Sequence, residues 1–191
     1  VEVGRRRFLN WSWAGIGWVG LSLWGCAAKN QTPAKVEAPQ TLKLSSSAFD
    51  PDGLIPAKYT CDGENRSPAL SWDAPPAATR SLVLLVSDPD APGKTFIHWV
   101  LYDLPPETRQ LPEGMKADPI LVQGGVQGKS DFGKYGYGGP CPPQGTHRYV
   151  FTLYALDTVL DLPPGAKQAD VLKAIEGHIL AQAELVGRYG R

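Results

Sequence analysis

Beyond residue 40 the chain is cut into short apolar runs by clusters of proline, glycine, asparagine and aspartate, and this punctuation limits the fold more than any other feature. Runs of strand character cover 41–45, 69–72, 81–87, 96–103 and 147–157. The chain carries 21 glycines and 18 prolines, most of them between these runs, which favours many turns and short strands over helices. Residues 81–87, SLVLLVS, are apolar almost throughout, the pattern of a central strand covered on both faces. One stretch has helical spacing. Val171, Leu172, Ile175, Ile179, Ala183 and Val186 recur at intervals of three and four, which predicts a helix over 169–186 with Gly187 as its C-cap. Many strands and one terminal helix predict a mainly β domain with a C-terminal helix, not a doubly wound α/β fold.

Residues 1–26 read as an address. Arg5-Arg6-Arg7-Phe8-Leu9-Asn10 resembles a twin-arginine export signal, and 15 uncharged, mostly apolar residues follow, from Trp11 to Gly25. That is shorter than the roughly 20 residues a spanning helix needs. Four of the six tryptophans fall here, which suits a membrane interface. Leu23-Trp24-Gly25-Cys26 resembles a lipoprotein box, with Cys26 as the acylated residue and a membrane lipid anchor as the consequence. The alternative is an uncleaved signal anchor with Cys26 as a free thiol. Residues 27–40 read as a flexible tether, and 41–191 as one domain large enough to fold without a metal or disulfide. Basic and acidic residues balance at 19 each. Without residues 1–25, which hold Arg5, Arg6, Arg7 and Glu2, 16 basic and 18 acidic residues remain. A nucleic-acid partner is not expected, and net charge gives no steering toward an anionic membrane.

Two segments carry residues suited to chemistry. In the first, Asp88-Pro89-Asp90-Ala91-Pro92 precedes His98-Trp99. Asp-Pro-Asp alone suits a rigid turn, because Asp bonds nearby backbone N–H groups and Pro fixes φ. A histidine on a half-buried strand needs a partner, and that turn is the nearest source of a carboxylate. Strict alternation places Phe96, His98, Val100 and Tyr102 on one face, and Ile97, Trp99 and Leu101 on the other. In the second segment, 137–146 (YGGPCPPQGT) delivers the chain into a strand on which His147, Tyr149 and Phe151 share a face. Backbone N–H groups of such a turn can form an anion-binding concavity, with imidazole and tyrosine donors added. An aspartate at this site would accept from one imidazole nitrogen, favour the protonated ring and leave the other N–H for a ligand. The glycine- and proline-rich stretch 112–146 is long for a loop in a compact domain, which marks it as functional.

Together these segments resemble the phosphatidylethanolamine-binding protein family, which includes the Raf kinase inhibitor proteins. The resemblance extends to 59–65 (YTCDGEN), 67–72 (SPALSW) and 177–181 (GHILA), and covers about 42–191. It implies a large antiparallel sheet packed on a smaller one, with a terminal helix, and a pocket for phosphate, phosphorylethanolamine or a phospholipid headgroup. By motif the pocket residues are Asp88, Asp90, His98, His147 and Tyr149, with Phe96 and the turn Gly139, Pro140 and Pro142 as its wall. No cofactor, metal or catalytic residue is implied. The turn from Pro143 to His147 is shorter than in animal members, so kinase inhibition does not transfer.

A zinc or non-haem iron site on the two histidines and two aspartates is the sharpest rival, although their spacing matches no short metal motif. A serine hydrolase lacks G-x-S-x-G, and Ser87 has no evident oxyanion hole. A protease or kinase inhibitor-like role through 112–146 names no partner. If Cys26 is acylated, Cys61 and Cys141 remain as a pair in an oxidising compartment and are expected to approach each other. His178 is expected to be a satisfied core or interfacial histidine, and Trp72 and Trp99 to fill the core.

Overall fold

The computed structural model describes residues 40–191, so the signal-like segment, Cys26 and tether residues 27–39 lie outside the described residues. Gln40, placed in the tether by sequence, already belongs to a strand. The strands are β1 (Gln40–Thr41), β2 (Leu44–Ser46), β3 (Leu70–Trp72), β4 (Ser81–Asp88), β5 (Phe96–Leu104), β6 (Gln110–Leu111), β7 (Val126–Gln127), β8 (Thr146–Leu156) and β9 (Ile179–Gly190). The helix α1 covers Gln168–Ile175. Six strands form the larger sheet in the order β1-β9-β8-β4-β5-β7, and three form the smaller in the order β2-β3-β6. All pairings are antiparallel except β1 on β9.

The apolar run 81–87 becomes β4, hydrogen-bonded on both sides, with its side chains divided between two cores. Leu82, Leu84 and Val86 join Phe151, Leu153 and Leu185 against Leu44, Leu70, Trp72 and Leu111 of the smaller sheet. Val83 and Leu85 join Val100, Tyr102, Val171 and Ile175 on the other face, under α1. At roughly 25 cal/mol per Å² of apolar surface buried, these two layers are the main favourable contribution to folding. The two-residue strands β1 and β7 blunt the edges of the larger sheet against pairing with another chain.

The predicted helix over 169–186 is corrected. It ends at Ile175, Gly177 adopts φ 79°, and the chain turns into β9. Residues 179–190 obey a two-residue period as well, with Ala181, Ala183, Leu185 and Gly187 buried. The long partner β8 was available, so pairing overrode the helix propensity of Ala, Gln, Glu and Leu. Gly187 is therefore no helix cap. It lies within β9, where an added Cβ would stand 2.6 Å from Ile55. His178, expected to pack on the sheet, is exposed and its Nδ1 lies 2.8 Å from Asp157.

Strict alternation along β5 fails at two positions, near Asp103, where the pairing slips between Leu104 and Leu101, and at His98. Val86 pairs with Trp99 but Ser87 pairs with Ile97, so His98 is the extra residue of a β-bulge. The parity reverses there: Ile97 joins Val100 and Tyr102, while Trp99 and Leu101 face the smaller sheet.

The long segment 112–146 contains β7 and otherwise irregular backbone. Buried Gln127 ties it down, accepting from Trp99 Nε1 at 2.7 Å and donating to the carbonyls of Lys116 and Asp118, both at 2.8 Å. Among the described residues no helix is long and apolar enough to cross a membrane.

Candidate functional site

A cavity of about 210 Å³ opens where β4, β5 and β8 end against the loops. Its lining is Asp88, Ala91, Pro92, Phe96, His98, Phe132, Cys141, Pro142, Pro143 and His147. Antiparallel pairing of β8 with β4 brings His147 beside Asp88, and the bulge in β5 sends His98 to the same end. Both imidazoles and Asp88 are buried.

Asp88 partners His147, not the nearer-in-sequence His98. Its Oδ2 accepts from His147 Nδ1–H at 2.7 Å, and its Oδ1 accepts from the Asp90 backbone N–H at 2.9 Å. The second bond is an Asx turn that holds the Asp-Pro-Asp segment rigid. His98 Nδ1–H donates instead to the Gly138 carbonyl at 2.7 Å. A carbonyl only accepts, so the neutral His98 ring carries its proton on Nδ1. Each ring thus keeps Nε2 as its nitrogen free for a ligand. Burial holds the His98 imidazole below its ordinary 6.5, against the upward pull of the Gly138 carbonyl and the Asp88 charge. The protonated ring that sequence reasoning expected is therefore disfavoured at His98.

Asp90 is exposed and turned toward β8. Its carboxylate accepts from Arg148 Nε at 2.9 Å, Nη2 at 2.6 Å and the backbone N–H at 2.9 Å. The Arg148 guanidinium holds this carboxyl well below the usual carboxylate range. The forked pair fastens the 88–92 turn to β8, so Asp90 positions the wall and does not line the cavity. Tyr149 is buried behind His98, with ring centroids 5.2 Å apart and edge to face. Its hydroxyl has no hydrogen-bond partner among the described residues, and burial pushes its pKa up.

The glycine-proline turn is less open than its composition suggests. The Gly138 N–H donates to the His98 carbonyl, Gly139 to Asn65 Oδ1 at 2.7 Å, and Gly145 to the Arg191 carbonyl. Pro140, Pro142 and Pro143 have no N–H to offer. The expected concavity of free backbone donors is thereby largely used up within the fold, and polar recognition falls to the imidazoles. Pro142 lines the cavity, whereas Gly139 and Pro140 stitch the turn to 57–65. Pro140 accepts from the Cys61 N–H at 3.0 Å, and an added Cβ at Gly139 would lie 2.4 Å from the Tyr59 carbonyl oxygen. Cys61 and Cys141 form a disulfide with Cα atoms 5.4 Å apart.

Phe132 was missed by sequence reasoning. It packs edge to face on Phe96 at 4.8 Å and His98 at 5.4 Å, yet remains 42% exposed at the cavity mouth. Its only signal was a phenylalanine, followed by Tyr135 and Tyr137, in an otherwise polar, glycine-rich loop. Among the described residues no group of three or more His, Cys, Asp or Glu side chains is arranged to hold a metal ion.

Comparison with known proteins agrees with this architecture. The family model described as phosphatidylethanolamine-binding protein matches residues 45–190. A UPF0098 protein of Methanothermobacter thermautotrophicus is 54% identical over 150 residues, which is 78% of this chain and 99% of the relative. One from Aquifex aeolicus is 48% identical over 153 residues, covering 78% of this chain and 89% of the relative. A crystal structure of a phosphatidylethanolamine-binding protein homologue from Chlamydia trachomatis superposes with TM-score 0.73 at 42% identity, over 79% of this chain and 98% of its own. YbcL of Escherichia coli, described as a member of the mammalian family, gives TM-score 0.74 at 31% identity, over 80% and 99%. With its two sheets, its paired histidines and relatives matched over nearly their whole length, the chain belongs to the phosphatidylethanolamine-binding protein family.

Proposed function

We propose that this protein is a binding protein, not an enzyme, which is exported, lipid-anchored through Cys26, and takes phosphate-like groups or phospholipid headgroups in the His98–His147 cavity. The observation that carries this reading is the convergence of two buried imidazoles, each fixed through Nδ1, on a cup otherwise lined mainly by apolar side chains. A cavity of this kind excludes water from the contact and strengthens a polar bond to a ligand oxygen. Each Nε2-to-oxygen contact needs one proton, from the ring or from the ligand. A phosphate ester, whose second pKa is about 6, supplies it in its monoanionic form, or a ring takes it up on binding. Asp88 supports either case by accepting from the far side of His147. The lining holds no free thiol or alcohol, which favours binding over nucleophilic chemistry: Cys141 is disulfide-bonded.

The test is NMR of the histidine rings during titration with inorganic phosphate and with phosphorylethanolamine. Both imidazoles are expected to shift, and His98→Ala to weaken binding at least about tenfold, as losing a charge-assisted hydrogen bond would. Unmoved rings at saturating ligand, or an alanine variant that binds as well as the parent, sink the reading. Anchoring is tested separately by membrane fractionation of the Cys26→Ser chain. A second reading, an inhibitor-like regulator, is favoured by Ile120 and Val122, which stand 63% and 99% exposed on the long loop. Pull-down from the cell envelope tests it.

A further inference from the structure

The two sulfurs of the Cys61–Cys141 bond have unlike surroundings. Cys141 is exposed and lines both the His98–His147 cavity and a neighbouring hollow of about 260 Å³. Cys61 is half-buried and lines the hollow alone. A nucleophile entering from the cavity therefore meets Cys141. At the other sulfur, Arg191 Nη2 donates to Cys61 Sγ at 2.9 Å. Asp62 holds that guanidinium in place, accepting from its Nε at 2.8 Å and from its Nη2. The Tyr189 hydroxyl donates to the same carboxylate at 2.7 Å. Asp62 tempers the charge of Arg191 but leaves an N–H aimed at sulfur. Thiol–disulfide exchange depends on which sulfur is reached and on how readily the departing sulfur carries negative charge. A neighbouring guanidinium favours the thiolate. Access thus selects Cys141 for attack, and charge selects Cys61 to leave.

We propose that Cys141 is a thiol–disulfide exchange site, attacked at Sγ by a dithiol while Cys61 departs as a thiolate beside Arg191. One thiolate of the dithiol bonds to Cys141 Sγ, the Cys61–Cys141 bond breaks, and its electron pair stays on Cys61 Sγ. The second thiolate of the dithiol then displaces Cys141 from the mixed disulfide. The dithiol ends as an intramolecular disulfide. Cys61 and Cys141 end as thiols, having taken up the two protons that the dithiol gave up. The segments that carry them stay tied without the bond. The Gly139 N–H donates to Asn65 Oδ1 at 2.7 Å, the Cys61 N–H to the Pro140 carbonyl at 3.0 Å, and the Tyr137 hydroxyl to the Tyr59 carbonyl at 3.0 Å. Reduction is therefore a local, reversible event in a folded domain, and it places a free thiol at Cys141 in the cavity wall. The site does not depend on what the imidazoles bind.

The experiment uses the full chain carrying Cys26→Ser, in which Cys61 and Cys141 are the only cysteines. After brief exposure to glutathione and quenching with iodoacetamide, peptide mapping is expected to find glutathione on Cys141 and the alkyl group on Cys61. That arrangement should exceed the reverse by about tenfold. Reduction by dithiothreitol is expected to keep its rate as urea rises below the unfolding transition, because no global opening is needed. Arg191→Gln should slow it about threefold or more, with Arg191→Lys close to the parent. Thioredoxin is compared at equal thiol concentration: a faster reaction names a protein dithiol as the donor, a slower one a small dithiol. Glutathione found mainly on Cys61, a rate unchanged or raised in Arg191→Gln, or a rate that climbs with urea throughout that range overturns the proposal. Circular dichroism establishes that the Arg191 variants are folded.

Discussion

Asp88 divides its two oxygens between a turn and a ring, and the bond to His147 is buried while that from the Asp90 N–H is partly so. Asp88→Ala would leave the His147 Nδ1–H and the Asp90 N–H without acceptors. The expected loss is about 2–4 kcal/mol, read from urea unfolding, together with a disordered His147 ring in NMR spectra. His98 makes the opposite kind of pH statement. Its folded pKa lies below 6.5, so the unfolded chain binds the extra proton. The contribution of neutral His98 is complete above about pH 6.5 and is lost as pH falls below that value toward the folded pKa. Urea midpoints are therefore expected to drop between pH 7.5 and 5.5. The drop should shrink in His98→Asn, whose amide N–H can still reach the Gly138 carbonyl. Phosphate, if it favours the protonated ring, should raise the His98 midpoint in an NMR titration. Gly138 tests the wall: an added Cβ would lie 2.3 Å from the edge of the Phe132 ring. Gly138→Ala should push that half-exposed ring aside at a cost under about 1 kcal/mol and weaken phosphate binding.

Elements show what the sequence could and could not carry. The central strand was legible in SLVLLVS because burial on both faces removes polar residues. Residues 147–157 kept perfect alternation, so the shared face of His147 and Tyr149 was legible as well. The bulge at His98 in β5 was not. Nothing in Ile97-His98-Trp99 distinguishes a bulged from a regular strand, and that one extra residue decides which side Val100 and Trp99 take. It also hid the partner of the Asp-rich turn, because Asp88 reaches across to β8, 59 residues away. The helix over-reach has a similar cause: 179–186 satisfies both periods, and only the presence of β8 decides. Phe132 lay beyond periodicity altogether, since loop side chains find their places through tertiary contacts. The turn itself is held by more than proline and glycine. The Cys61–Cys141 bond closes a sequence separation of 80, which chain entropy makes stabilising by about 2–4 kcal/mol. Cys61→Ser with Cys141→Ser should lower the denaturant midpoint accordingly. The hydrogen bonds from Gly139, Cys61 and Tyr137 should still hold the turn near its place.

For the molecule as a whole, Gln127 is the rivet between sheet and long loop. Gln127→Leu would strand the Trp99 indole N–H and two carbonyls, at an expected cost of about 2–4 kcal/mol. Limited proteolysis should then cut within 112–126 well before the sheet unfolds. The cavity draws its walls from 88–98, from 132 and from 141–147, segments that meet only after β4 has found β5 on one side and β8 on the other. None of these three stretches alone encloses the cavity. Anything that occupies the cup therefore acts as a clasp on three separate stretches of polypeptide, and its affinity reports whether the native arrangement is complete. In a newly made chain this would make the ligand a late checkpoint of maturation, favouring the finished domain over any partly assembled one.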